Sequence, residues 1–335
     1  MGFIGLDIGN YSIKAAQLIE DDDGKFMLSA AAFLKVPSDA FLNSTIIDHA
    51  ELTACVAKLF AEGGFTENRV ALAVKGEKTI ARLVEMPFVS KEQFDRDARY
   101  FAEQYLAIEP EEYALEYNVL EMADLRAKVL YAATHKAGLL DYMSVVNTDK
   151  IKVSSVNIEV LAIAKLYKLL FPRDKDISLV IQNGHAQIQF IFFNNGDFIY
   201  HTTSAVAGAR LSELLVAKAG TDTESMEKAK MNPSSTGRDA DILKVLEKDF
   251  YPEFEAALGG ALKNAMLAGI GVPEKIYLSG AATDNIMRFK SWKKYCDSPP
   301  QLLTPGSLIK VNSPKLAHLI MSQPAAFNVA LAMSL

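Results

Sequence analysis

Two stretches of this sequence read as three short strands in series, and each hands over to helices alternating with single strands. The first triplet covers residues 2–8, 12–20 and 26–36, and the second covers residues 177–181, 186–193 and 197–203. Asp22-Asp23-Gly24 joins two strands of the first triplet and Asn195-Gly196 two strands of the second, both of them hairpin signals. After the first triplet a helix is expected over 48–62, with Leu52, Val56, Leu59 and Phe60 on one face, then strands at 69–75 and 79–86. Ser90 starts a helix to about Leu106, with Gln93 three residues on as a capping box. Strands at 113–121 and 127–134, a helix over 136–146, a strand at 151–157 and a helix over 159–171 complete this half. The second triplet leads into helices at 209–219, 223–230 and 238–268, a strand at 274–279, a helix after Ala282 and a closing helix from about Pro324 to Leu335. The stretch 232–238 reads as an exposed connection. A strand triplet followed by helix–strand elements, occurring twice, predicts a duplicated α/β architecture with two lobes around a cleft.

Composition sets the function classes. The 335 residues suffice for two domains or one large two-lobed one, and 50% hydrophobic with 23% charged residues is ordinary for a soluble globular chain. A net charge of −6 gives no basic footprint for nucleic acid. Cys55 and Cys296 lie far apart and form no CxxC, so neither a disulfide framework nor a zinc site is indicated, which suits a reducing compartment. No stretch approaches the ~18 apolar residues of a membrane span, and no signal peptide is visible. The expectation is a cytoplasmic protein without direct membrane insertion.

The opening Phe3-Ile4-Gly5-Leu6-Asp7-Ile8-Gly9 sets a carboxylate inside an apolar strand, just before a glycine turn. Burying Asp7 costs desolvation unless a cation or hydrogen-bond donors compensate. Two readings stand. Asp7 can cap its own tight turn, or the turn Gly9-Asn10-Tyr11-Ser12 can offer backbone N–H groups to a phosphate. No GxxxxGK[ST] loop, GxGxxG loop, HExxH or GxSxG elbow occurs. His185 and His201 flank the Asn195-Gly196 hairpin, but pairing about that turn sets 201 opposite 190 and leaves them apart, so a metal role is not favoured. Phe190, Phe192, Phe193 and Phe198 read as sheet core.

Taken together, these segments resemble the actin-like ATPase superfamily, and within it the PilM family of type IV pilus assembly. That family opens with Leu-Asp-Ile-Gly-Ser-x-Ser-Val-Lys, matched here by Leu6-Asp7-Ile8-Gly9-Asn10-Tyr11-Ser12-Ile13-Lys14. Further along, "MPFVSKEQFDRDARYFAEQYLAIEPEEYALEYNVL" (86–120), "VLYAATHKAGLLDYMSVV", "VSSVNIEVLAIAKLY", "KIYLSGAATDNI" and "QPAAFNVALAMSL" are similar to the family's later segments in order and spacing. The resemblance implies a two-lobed actin-like ATPase fold, with duplicated RNase H-like domains and an inserted subdomain. Subdomain 1A would hold 1–81, 154–175 and 319–335, and the insert 1C would hold 82–153. Subdomain 2A would hold 176–210 and 272–318, and 2B 211–271.

The resemblance also implies cofactors and roles. ATP and Mg2+ would bind in the cleft. Asp7 would face the metal and phosphates, Gly9, Asn10, Tyr11 and Ser12 would form the first phosphate turn, and Lys14 would lie just past it. Glu159 would be the connecting acid that helps position water or metal, making Asp7 and Glu159 the catalytic pair. Gly184 and Gly208 remain from the second phosphate motif. Glu227 and Lys230, at i, i+3 on one helical face, would contact ribose and adenine, with a solvated salt-bridged face as the alternative. Gly280 and Ala281 would lie against the base. Two departures weaken hydrolysis. The second phosphate motif reads Gln182-Asn183-Gly184 where an acid is usual, and Ala281 replaces a glycine. Losing a cleft carboxylate removes a group that holds hydrated magnesium and orients water, whereas backbone N–H groups can still bind phosphate. By family analogy the partner is the N-terminal cytoplasmic peptide of a PilN-like inner-membrane protein, and by extension other pilus platform proteins. The peptide groove would lie between the first subdomain and the insert. A small-molecule kinase and an FtsA-like division protein share the core and stand as rivals.

Overall fold

Strand β1 (Ile4–Ile8) is buried at every position, as a central strand covered on both faces must be. It pairs antiparallel with β2 (Ser12–Glu20), which pairs antiparallel with β3 (Phe26–Lys35). Two-residue strands β4 (Phe41–Leu42) and β5 (Thr45–Ile46) follow, then helix α1 (His49–Glu62), N-capped by Asp48, whose side chain accepts from Glu51 N. Strand β6 (Arg69–Val74) runs parallel beside β1. In this computed structural model the protein is described over residues 2–335, apart from 22, 43, 77, 88–89, 124, 149, 220–221, 223–224, 228–229 and 231–238. The expected connection at 232–238 and part of the expected helix at 223–230 lie outside the described residues.

The chain then builds a separate small sheet. Strand β7 (Thr79–Pro87), helix α2 (Lys91–Leu106, N-capped by Ser90), strand β8 (Tyr113–Ala123) and strand β9 (Arg126–His135) give the order β7-β9-β8. Phe94, Ala98, Ala102 and Leu106 of α2 close over Val129 and Tyr131 in a core of their own. Helix α3 (Lys136–Val146) returns to the first lobe, where Tyr142, Val145 and Val146 join the main core. The compact insert therefore spans the three strands and α2, a narrower unit than 82–153. Strand β10 (Lys152–Ile158), parallel to β6, completes the first sheet and leads into helix α4 (Glu159–Leu170).

The second lobe repeats the plan. Strands β11 (Ile177–Asn183), β12 (Ile188–Asn194) and β13 (Asp197–Ser204) form the meander, with Asn195 and Gly196 both at positive φ in the hairpin turn. Helix α5 (Gly208–Ala219), α6 (Asp239–Val245), a π-helical turn and α7 (Tyr251–Leu267) follow, so the helix expected over 238–268 is one helical run with a wider turn inside it. Strand β14 (Lys275–Ser279) lies parallel to β11, helix α8 (Thr283–Met287) comes next, and β15 (Gln301–Leu302) edges the sheet. The orders β3-β2-β1-β6-β10 and β13-β12-β11-β14-β15 are the same topology twice.

The end of the chain crosses back. Strand β16 (Ile309–Lys310) pairs with β3 and helix α9 (Pro314–Ser322) packs beside it, so residues expected in the second lobe belong to the first. The last helix, α10 (Asn328–Ser334), begins four residues later than expected because 324–327 form turns, with the Ala325 carbonyl accepting from Gly280 N at 3.0 Å. Helix α10 packs so closely on β1 that a Cβ at Gly5 would lie 1.9 Å from the Ala330 carbonyl oxygen. The expected pairing of 201 with 190 is corrected: a bulge after Phe192 sets His201 opposite Ile191. Phe190, Phe192, Phe193 and Phe198 are buried as expected.

Candidate functional site

The β1–β2 hairpin places Asp7 and Lys14 as direct cross-strand partners and closes with Gly9 N donating to the Ser12 carbonyl at 3.0 Å. Asp7 is buried, and each carboxylate oxygen meets an ammonium group. Lys14 Nζ lies 3.2 Å from Oδ2, and Lys75 Nζ lies 2.7 Å from Oδ1. Lys75 follows the last residue of β6, which runs parallel to β1 and brings the two strand ends together. Burial pushes the Asp7 carboxyl up, but the charges of Lys14 and Lys75 outweigh it and hold the group at about 2. Burial opposes the Lys75 charge, and Asp7 and Glu159 more than restore it, so this ammonium titrates above its ordinary range. The desolvation that the sequence posed for Asp7 is met by two cations.

Facing this pair is Glu159, the first residue of α4 and itself buried. Gln182 Nε2 donates to Glu159 Oε1 at 3.2 Å, and Gln189 Nε2 donates to Oε2 at 3.1 Å. The amide that replaces the usual acid at 182 thus serves the remaining acid as a donor. The amide oxygens of Gln182 and Gln189 are buried without hydrogen-bond partners among the described residues, two neutral acceptors at the cleft floor. Lys75 Nζ lies 3.7 Å from Glu159 Oε1, between the two carboxylates.

On the opposite lobe, the turn after β11 is closed by Gly184 N donating to the Gln187 carbonyl at 3.0 Å. Gly208 N, opening α5, donates to the Gly184 carbonyl at 3.1 Å. Asn183 ties the strand end to the next loop, its Nδ2 donating to the Ala282 carbonyl at 2.7 Å. Gly280 sits at φ +96°, where a Cβ would lie 2.3 Å from the Asn183 carbonyl oxygen, so only glycine fits. Asn328 of α10 reaches across from the first lobe and donates to Ser279 Oγ at 2.8 Å and the Leu303 carbonyl at 2.7 Å.

Glu227 and Lys230 form a buried ion pair, 2.9 Å apart, rather than a solvated face. Lys230 also donates to the Gly208 carbonyl at 2.8 Å and to Ser212 Oγ at 2.5 Å, and Ser212 donates to Glu227. Burial lowers the Lys230 ammonium against the charge of Glu227. Across the gap, the Tyr11 ring at the hairpin tip stands 5.4 Å from His185, whose Nδ1 is 3.9 Å from Glu227 Oε1. Each of the site residues expected from the sequence, Asn10 and Ala281 included, lines one cavity of about 330 Å³ between the lobes.

A family model described as "Type IV pilus assembly protein PilM" matches residues 5–271. The chain belongs to the PilM family of type IV pilus assembly proteins. No curated protein matches it in sequence. Among solved structures, the PilM–PilN type IV pilus biogenesis complex aligns with a TM-score of 0.84 at 17% identity, over 99% of this chain and 97% of the other. The ethanolamine utilization protein EutJ from Carboxydothermus hydrogenoformans aligns with a TM-score of 0.54 at 13% identity, over 100% of this chain and 90% of the other. The fold of this PilM-family chain is the two-lobed actin-like one.

Two polar residues at the floor of the PilM-family cleft, Lys75 and Gln189, are not singled out from the sequence, and His185, discounted there as a metal ligand, also lines it. Lys75 carries a signal like that of Asp7, a charged residue ending an apolar strand before a glycine. Gln189 interrupts the apolar run Ile188-Gln189-Phe190, which also marks a buried polar group in need of a partner. As a directly liganded Mg2+ site the donor set does not fit. Both Asp7 oxygens are engaged by ammonium groups and both Glu159 oxygens by amides, and no cluster of three or more His, Cys, Asp or Glu occurs among the described residues.

Proposed function

We propose that this PilM-family chain is a scaffold of a type IV pilus machine that holds ATP in the interlobe cleft and turns it over slowly or not at all. One observation carries the reading: the residues expected from the sequence to meet phosphates, ribose and base line a single cavity of about 330 Å³, within the range of small-ligand sites. Phosphate would meet the turns at 9–12 and 184–187, with Lys14 supplying charge, and the adenosine would meet Glu227, Lys230, Gly280 and Ala281. Asp7 and Glu159 are the acids nearest the reacting phosphate in this reading. Gln182 supports slow turnover, because it offers an amide donor to Glu159 where a second acid would orient water. Each tenfold in rate is ~1.4 kcal/mol of barrier, and a lost orienting group accounts for several such steps. Purified protein releasing phosphate faster than about once per second would defeat this part.

The second part concerns the partner. The PilM of the 0.84 neighbour is in complex with PilN, and we propose that this chain takes the N-terminal cytoplasmic peptide of a PilN-like inner-membrane protein. No helix among the described residues is long and apolar enough to cross a membrane, so attachment through such a partner suits the chain. The small sheet supports a docking role. Its edge strand β8 exposes Leu120 and Met122, with Leu125 just beyond, and edge strands capture extended peptides through backbone hydrogen bonds. Titrating a synthetic tail peptide against wild type and Leu120→Asp/Met122→Asp tests the assignment. Undiminished binding by the variant would remove the β8 edge from the interface.

A further inference from the structure

We propose that the Lys75 ammonium occupies the place of a divalent cation in this cleft, so that the site takes a nucleoside polyphosphate without metal. The inference rests on the nucleotide reading above. A divalent cation in such a cleft would be held near its carboxylates, Asp7 and Glu159, where it would offset phosphate charge. Here the point between the carboxylates is already held by Lys75 Nζ, 2.7 Å from Asp7 Oδ1 and 3.7 Å from Glu159 Oε1. The lysine is fixed in that position. It follows the buried strand β6 directly, and its side chain is 12% exposed. Gly76 at φ +124° turns the chain away behind it.

Charge balance points the same way. Asp7 and Glu159 supply two negative charges, and Lys14 and Lys75 supply two positive ones, so the floor of the cleft is neutral before any ligand enters. The third acid that would create a demand for a divalent cation is Gln182, an amide that donates to Glu159. Gln189 does the same on the other oxygen. A divalent ion brought to Asp7 would stand within contact range of two ammonium groups in a poorly solvated site, where like charges repel strongly. The amide oxygens of Gln182 and Gln189, without partners among the described residues, are uncharged and suit water. An ammonium has three donors; the hydrogen bond to Asp7 takes one, which leaves N–H groups for a phosphate oxygen, and lysine serves phosphate as a point charge. The ammonium is held charged by its neighbours at every pH at which the protein would be used.

Isothermal titration of the full chain with ATP, once in excess EDTA and once in excess magnesium chloride, tests the inference. The expected dissociation constants agree within about threefold, far below the tenfold that 1.4 kcal/mol represents. Lys75→Met is expected to invert the pattern. It weakens binding in EDTA by about tenfold or more and regains affinity when magnesium is added, because Asp7 Oδ1 is then free to hold it and one positive charge has left the floor of the cleft. Lys75→Arg keeps the charge and is expected to keep binding in EDTA. The wild-type pair of titrations needs no variant, so a Lys75→Met chain that fails to fold does not shield the idea. ATP binding by wild type only in magnesium overturns the role of Lys75 and leaves the nucleotide reading standing. Absence of binding in both media overturns both.

Discussion

Replacing Gln182 by glutamate probes the floor of the cleft most sharply. The exchange is isosteric and converts a donor, 3.2 Å from Glu159 Oε1, into a second carboxylate at that distance. Two unit charges so placed repel by about 5 kcal/mol at an effective dielectric of about 20. Protonating one carboxyl at pH 7 costs about 3.5 kcal/mol from its ordinary value, which is less. The pair therefore shares a proton at neutral pH, and the variant is destabilised by about 3 to 4 kcal/mol. The sign follows from linkage. A carboxyl with a raised folded value binds a proton that the unfolded chain has already released. The penalty is then largest at high pH and shrinks by about 1.4 kcal/mol per unit as pH falls toward the ordinary carboxyl range. Urea unfolding of wild type and Gln182→Glu in EDTA, at several values between about pH 5 and 8, reads this directly. A stability difference that does not change with pH, or a variant as stable as wild type at neutral pH, would refute the assignment of Gln182 as donor to the buried Glu159 carboxylate.

Gly280→Ala forces a Cβ to 2.3 Å from the Asn183 carbonyl oxygen at φ +96°. The strain of about 1 to 3 kcal/mol should lower the melting temperature and weaken ATP binding together, which differential scanning fluorimetry with and without ATP measures. His201 is a half-buried residue of β13 beside Ala81 and Arg82 of β7, and its Nδ1 has no hydrogen-bond partner among the described residues. Burial, with the Arg82 charge nearby, holds it down to about 4. The unfolded chain takes up a proton first, below about 6.5, so folded stability falls as pH drops from there toward 4, by on the order of 2 kcal/mol after solvent screening. His201→Phe should flatten that acid limb in a thermal-melt pH series. An unchanged limb would place the loss elsewhere.

Much of this was legible because local chemistry announces it. Asp7 inside an apolar strand and the Asn195-Gly196 turn each declare a local geometry, and the β1–β2 hairpin with the β12–β13 turn follows. Other features depend on contacts that no local pattern reports. Lys75 becomes a partner of Asp7 only because β6 runs parallel to β1, joining residues 68 positions apart. The register of His201 turns on a bulge with no glycine or proline to mark it. The i, i+3 spacing of Glu227 and Lys230 fits an exposed face equally well. What buries the pair is Ser212 and the Gly208 carbonyl on α5, a distant helix start. β16 is two residues long, too short for periodicity to show, and only its pairing with β3 assigns it to the first lobe.

The proposed nucleotide site between the lobes is open to direct observation. The most direct measurement is a crystal structure of the protein grown with ATP, read at the cleft. Phosphates are expected between the turns at 9–12 and 184–187, within hydrogen-bond reach of Lys14 and Lys75, and adenine against Gly280 and Ala281 beside the Glu227–Lys230 pair. A cleft left empty at saturating ATP, with the Lys75–Asp7 and Lys75–Glu159 contacts unchanged, would contradict it.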